Sequence, residues 1–164
     1  MRKKVKGFTM IELIVVIAII AVLAGVLVPN MISAIRKAKV DTANANAKAI
    51  FNASQTIAQQ YEFQRENGIN GTICSDLSGS VADPLETEFT TRLERYYGEA
   101  DRVEWKIYID NFIVKKVISA ERATDIYVGE YPSPPKLDVV LDRGKAIGIY
   151  TDDEVKGLVG SYYN

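Results

Sequence analysis

An α+β fold, with one very long amino-terminal helix packed by its second half on a carboxy-terminal antiparallel sheet, is predicted by three features of this 164-residue chain. Twenty-one residues from Phe8 to Val28 include only two polar members, Thr9 and Glu12. Small and apolar residues then recur at spacings of three and four as far as Tyr61, the period of one helix face. From Val103 onward the period becomes two, as in strands with one buried side.

The length supports one modest core with an appendage. Formal charge is −1, yet four of the 20 basic residues (Arg2, Lys3, Lys4 and Lys6) precede Gly7. Without them, sixteen basic residues face 21 acidic ones, which argues against a general grip on nucleic acid. A single cysteine, Cys74, cannot form an internal disulfide, and suits a small buried apolar position. The chain has no histidine, so no Ser-His or Cys-His nucleophile pair exists, and there is no glycine-rich phosphate loop. Neither catalysis nor a cofactor is expected.

Taken in order, the apolar stretch comes first. As a helix, Phe8 to Val28 would be about 31 Å long, which matches a hydrocarbon core of about 30 Å. Its basic start places the amino end in the cytoplasm and the remainder outside. A cleaved secretory signal would be shorter, and Ala21, Ala24 and Gly25 would lead into polar sequence rather than Val26-Leu27-Val28-Pro29. Pro29 kinks such a helix without ending it. Ile32, Ile35, Ala43, Ala47, Ile50, Ser54, Ile57 and Tyr61 continue one face to about Glu66, where Asn67-Gly68 supplies a stop. Alanines at 43, 45, 47, 49, 53 and 58 keep this half thin enough for close packing.

Residues 69 to 101 are polar and connect spine to sheet, with one minor helix from Leu85 to Tyr97. Val103 to Ile109 and Phe112 to Ile118 alternate around Asp110-Asn111 and predict a hairpin. A third strand is expected from Asp125 to Tyr131, before Pro132, Pro134 and Pro135. A second hairpin is expected from Leu137 to Leu141 and Ala146 to Thr151, around Asp142-Arg143-Gly144. A meander with one face on the amphipathic half-helix would bury both apolar surfaces.

Gly7-Phe8-Thr9-Met10-Ile11-Glu12, with lysines before it, an apolar helix after it and a basic exit at Arg36, Lys37 and Lys39, resembles the type IV pilins and the similar pseudopilins of type II secretion and competence machines. That resemblance covers roughly Lys4 to Lys39 and is one of layout beyond Gly68. It implies a leader at residues 1–7, a membrane and filament-core helix at 8–30, an amphipathic half at 31–67, a connecting region at 68–102 and a sheet with tail at 103–164. A membrane peptidase and methyltransferase would cut after Gly7 and N-methylate Phe8. The subunit would pass from a single-span precursor in the cytoplasmic membrane to an extracellular helical filament, with an assembly platform and minor pilins as partners. Adhesion, motility or DNA uptake are the roles implied. A pseudopilin is the alternative, and a signal-anchored binding ectodomain is a third reading, against which Glu12 argues.

Glu12 has a physical rationale beside the resemblance. Cleavage before Phe8 would leave a cationic amine about 6 Å along the axis from Glu12. Inside a bundle of apolar helices an unpartnered charge costs several kcal/mol, whereas an opposed pair costs much less. Glu12 is therefore expected to partner the Phe8 amine, on its own chain or the next, and to fix axial register; Pro29 is the second residue assigned to assembly. Asp152-Asp153-Glu154 and Asp138 with Asp142 fit no calcium loop, so they read as solvated loop acids and no metal is expected. The tyrosines at 96, 97, 127, 131, 150, 162 and 163 are accounted for by packing, and the tail Ser161-Tyr162-Tyr163-Asn164 by a subunit contact or cover for a sheet edge.

Overall fold

The computed structural model describes residues 8–63, 69–75 and 84–159. The chain divides into two compact units, with the boundary between Arg36 and Lys37.

The first unit is the opening stretch of helix α1 (Met10–Glu62), which has Glu12 in its first turn and Pro29 inside it. Its large apolar side chains, from Ile11 and Leu13 to Ile32 and Ile35, are all exposed. Ile32 and Ile35 thus do not join the buried face that their spacing suggested. By length and composition, α1 is the one described helix able to cross a membrane.

In the second unit the remainder of α1 is alanine-rich, which favours helix at no side-chain entropy cost. Val40, Ala43, Ala47, Ile50, Ser54, Ile57, Ala58 and Tyr61 are buried there, as the three-and-four spacing requires. They face a four-stranded antiparallel meander, β1 (Gly71–Cys74), β2 (Glu104–Asp110), β3 (Ile113–Ala120) and β4 (Gly129–Tyr131), in that spatial order. Ile73, Trp105, Ile107, Ile109, Val114 and Val117 form the sheet's front face against α1. Helix α2 (Pro84–Tyr96) closes this core with Phe89 and Leu93, and Phe89 stacks on Tyr61 at 6.3 Å between centroids. Each fully buried large side chain contributes about 1.5–3 kcal/mol.

The first hairpin forms, but its turn is one residue later than the alternation suggested. Asn111 and Phe112 take it with φ of 49° and 63°. Asn70 Oδ1 accepts the Asn111 amide at 2.7 Å and the Phe112 ring is buried, which holds both residues in the left-handed region. An irregularity between Tyr108 and Ile109 skips Lys115, so Lys116 pairs with Tyr108 and Val114 with Ile109.

Three expectations are corrected. The strand expected from Asp125 shortens to Gly129–Tyr131, because Asp125 and Val128 use their amides on Arg122 and Ile126 carbonyls in local turns. The second hairpin does not exist: Leu137–Arg143 is helix α3 and Ile147–Ile149 a 3₁₀ turn. Asp138 in the first turn, Arg143 in the last and Gly144 at φ 54° donating to Val140 O are helix-end chemistry, and they outweigh the β-branched pair Val139-Val140. Asp152, Asp153 and Glu154 are not loop acids; they form the first turn of helix α4 (Asp152–Gly157), whose open amides favour negative charge. The strand β1 lies inside the stretch read as connecting region.

The segment after β4 covers the sheet's back face. Ile118, Ala120 and Val128 meet Ile147, Tyr150 and Val155 there in a second, smaller cluster. The Asn67-Gly68 stop and the Ser161 to Asn164 tail lie outside the described residues.

Candidate processing and assembly site

The amino end of α1 carries the candidate site. Thr9 is the residue before the first helical turn and Glu12 the third within it. The Thr9 amide and hydroxyl each donate to Glu12 Oε2 at 2.8 Å, and the Glu12 amide donates back to Thr9 Oγ1 at 3.4 Å. The first turn is then closed by Leu13 N–H on the Thr9 carbonyl at 3.3 Å. This reciprocal capping box satisfies two donors that a helix start leaves open, in a stretch with no other polar side chain nearby. The motif Thr-x-x-Glu was visible in the sequence, and Thr9 is the partner of Glu12 that the charge-pair reasoning passed over.

Around the carboxylate, Phe8, Ile11, Val15 and Val16 line with Glu12 an open apolar cleft of about 330 Å³. Phe8 is 81% exposed and Ile11 70% exposed. An anion is therefore held in place by its own helix start while everything beside it is greasy and uncovered. Such a surface can do two things: lie in lipid, or close against apolar helices that bring a cation. Gly7 lies outside the described residues. Phe8 and Glu12 stand together at this cleft, whereas Pro29 lies further along α1 and takes no part in it.

The other groups singled out from sequence have local partners. Lys39 lies over the Tyr127 ring at 5.2 Å, Lys48 over Tyr131 at 5.9 Å and Lys145 over Tyr150 at 4.9 Å, while Phe51 meets the Tyr131 ring edge-on at 4.9 Å. Burial pushes the Tyr97 phenol up, and Glu99 beside it adds to the shift. Tyr162 and Tyr163 lie outside the described residues. Cys74 is half-buried rather than fully so, and lines a back-face cavity of about 120 Å³ with Ser75, Lys106, Ile147 and Gly148. Among the described residues, no three His, Cys, Asp or Glu side chains are grouped to hold a metal.

Residues 2–28 match the family described as the prokaryotic N-terminal methylation motif. The chain is similar to the type IV wide pilus major component PilA4 of Thermus thermophilus, 58% identical over 36 residues, which are 22% of this chain and 28% of that protein. It is also similar to the type IV major pilin protein PilA of Myxococcus xanthus, 41% identical over 51 residues, 31% of this chain and 23% of that protein. The chain thus spans about a quarter of the length of these relatives. No solved structure matches it.

Proposed function

We propose, from the match of residues 2–28 to the prokaryotic N-terminal methylation motif, that this chain is a structural subunit of a type IV pilus. It is inserted in the cytoplasmic membrane with its amino end inside, cut between Gly7 and Phe8, N-methylated at Phe8 and assembled into a helical surface filament through its apolar helices. The observation that carries the reading is the capped carboxylate of Glu12 set in an exposed, otherwise apolar helix. An amphipathic soluble helix would have no use for that surface, and a plain membrane anchor no use for that charge.

Before cleavage Phe8 has no amine, and Glu12 is occupied by Thr9. Cleavage creates a cation one residue from the cap. The carboxylate then offers its second oxygen, or its whole charge, to an amine on its own chain or on a neighbour. Pro29 contributes differently: it withdraws one amide from the helix ladder and makes that turn the easiest to open as subunits pack. Both relatives are named as pilins, which favours this reading over a pseudopilin of a secretion or competence system. The role is structural and the partners are further subunits, the processing peptidase and methyltransferase, and the assembly platform with its minor pilins.

Sheared fibres test the reading directly. Mass spectrometry should find chains beginning at N-methylated Phe8, and a fibre map should show helical hydrogen bonds interrupted between about Gly25 and Ser33. Glu12→Gln should still be cut, yet leave mature subunit in the membrane with few fibres, since orphaning one partner of a buried ion pair costs about 3–5 kcal/mol. Fibres built from chains that start at Met1, an unbroken helix through Pro29, or normal fibre yield from the Gln variant would each remove the corresponding part of the proposal.

A further inference from the structure

A three-charge cluster joins the segment after β4 to the sheet. Glu130, on the back face of β4, is fully buried; its Oε2 lies 2.8 Å from Lys116 Nζ, and its Oε1 is bound by Arg143 Nη1. The Lys116 side chain is 2% exposed and that of Arg143 25% exposed. Lys116 belongs to β3 and Arg143 to the last turn of α3, so the cluster ties the sheet to the segment that covers it. Lys116 Nζ also donates to Pro132 O at 2.8 Å, and Asn44 Nδ2 of α1 to Pro135 O at 3.3 Å. These bonds hold the near end of the segment. Its far end is held by Lys106 Nζ on Tyr150 O at 2.6 Å, by the Gly148 amide on Ala123 O at 2.9 Å and by Val155 in the back cluster.

We propose that residues 132–159 form a strap that lifts from the back face as a unit, with Arg143 on Glu130 as its fastener, while the front core stays folded. Two cations share one carboxylate. Withdrawing Arg143 leaves Lys116 and Glu130 paired with each other, and the guanidinium, already a quarter exposed, passes into water. Opening therefore orphans no buried charge, which is the usual obstacle to undoing an ion cluster. The apolar load is unequal in the same sense. Of the buried residues in the back cluster, the strap supplies Ile147, Tyr150 and Val155, whereas the front core unites α1, α2 and three strands around Trp105, Ile107 and Ile109. Regions with less buried apolar contact open first. No internal disulfide can lock the strap, since the chain has one cysteine. Pro132, Pro134 and Pro135 at its start have fixed φ and make a stiff boundary between sheet and strap. Lifting it would bare Ile118, Ala120 and Tyr108 on the sheet's back face.

Hydrogen exchange on the full chain in detergent micelles, read by peptide mass spectrometry, decides the matter. In the native chain, peptides covering α3 and α4 should exchange at least about tenfold faster than those of β2 and β3. Arg143→Met should speed the strap by a further factor of about ten and leave β2, β3 and the Ala47 to Tyr61 stretch unchanged, and Arg143→Lys should recover part of the protection. Glu130→Gln should open the strap further, since it removes the carboxylate charge that both cations share, and if that variant fails to fold the Arg143 pair still decides. Equal exchange in strap and sheet, acceleration of both together by Arg143→Met, or no change in the strap would each overturn the proposal.

Discussion

Gly129 faces the backbone of α1 so closely that a Cβ there would lie 2.1 Å from the Ala43 carbonyl carbon and 2.2 Å from the Asn44 amide nitrogen. Neither neighbour is the end of a flexible side chain. Beside it, the Glu130 amide donates to Asn44 Oδ1 at 3.0 Å. The missing side chain is thus what lets β4 reach the helix and place Glu130 beneath α3. Gly129→Ala should push β4 off α1 and cost on the order of 3 kcal/mol, at the upper end for overpacking a tight site. In a unit of this size the loss should lower Tm by about 10 °C, and a Tm within about 2 °C of the native value would show that the contact yields without cost. Sequence reading had no means of finding this position, since a glycine required by space at a helix looks like any strand glycine. Thr9 is the opposite case: its capping box is written in four consecutive residues and needs no fold to be recognised.

Among the elements, α4 shows how much of a short helix rests on its ends. Thr151 accepts the Glu154 amide at 3.4 Å, its own amide and hydroxyl donate to Glu154 Oε2 at 2.8 and 3.0 Å, and Lys145 pairs with Oε1. Lys145 above all, and then Thr151, lower the Glu154 carboxyl from the ordinary 4.5 to about 2. A depressed folded value means that the ionised group favours the helix. The contribution is complete above about pH 4.5 and disappears as pH falls toward 2. Amide protection within α4 should therefore decline across that window, and Glu154→Gln should show lower protection without that pH dependence. A native titration flat between 4.5 and 2, or a variant that follows the native curve, would break the link. α3 repeats the lesson at its carboxyl end. Val139 and Val140 invited a strand, but Asp138, Arg143 and Gly144 mark a helix start, end and stop.

At the scale of the whole molecule, the division between Arg36 and Lys37 separates a stretch whose described large apolar side chains are all exposed from a unit with its own core. A chain beginning at Lys37 should be monomeric, cooperative in unfolding and soluble, because the half-helix and the sheet bury each other's apolar faces. Trp105 is 1% exposed and donates its Nε1–H to Ala100 O at 3.2 Å, so its fluorescence reports that core. An indole emitting as if in water, or assembly of the shortened chain into fibres, would show that the first 36 residues are needed for folding or are not needed for association. Sequence by itself determined the apolar helix and its basic start, the buried face from Ala43 to Tyr61 and the β2–β3 hairpin, and it singled out Phe8 and Glu12 as a candidate site. Each is a local pattern, in which residues a few positions apart declare which side is wet or which end is charged. Only the tertiary structure decided that β1 adds to β2, that Gly129 lets β4 meet α1, that residues 137–157 form short helices rather than strands, and that Lys116, Glu130 and Arg143 meet. Those outcomes depend on partners brought together from distant parts of the chain, where a four-residue strand or a buried lysine is favourable only once its neighbour is in place.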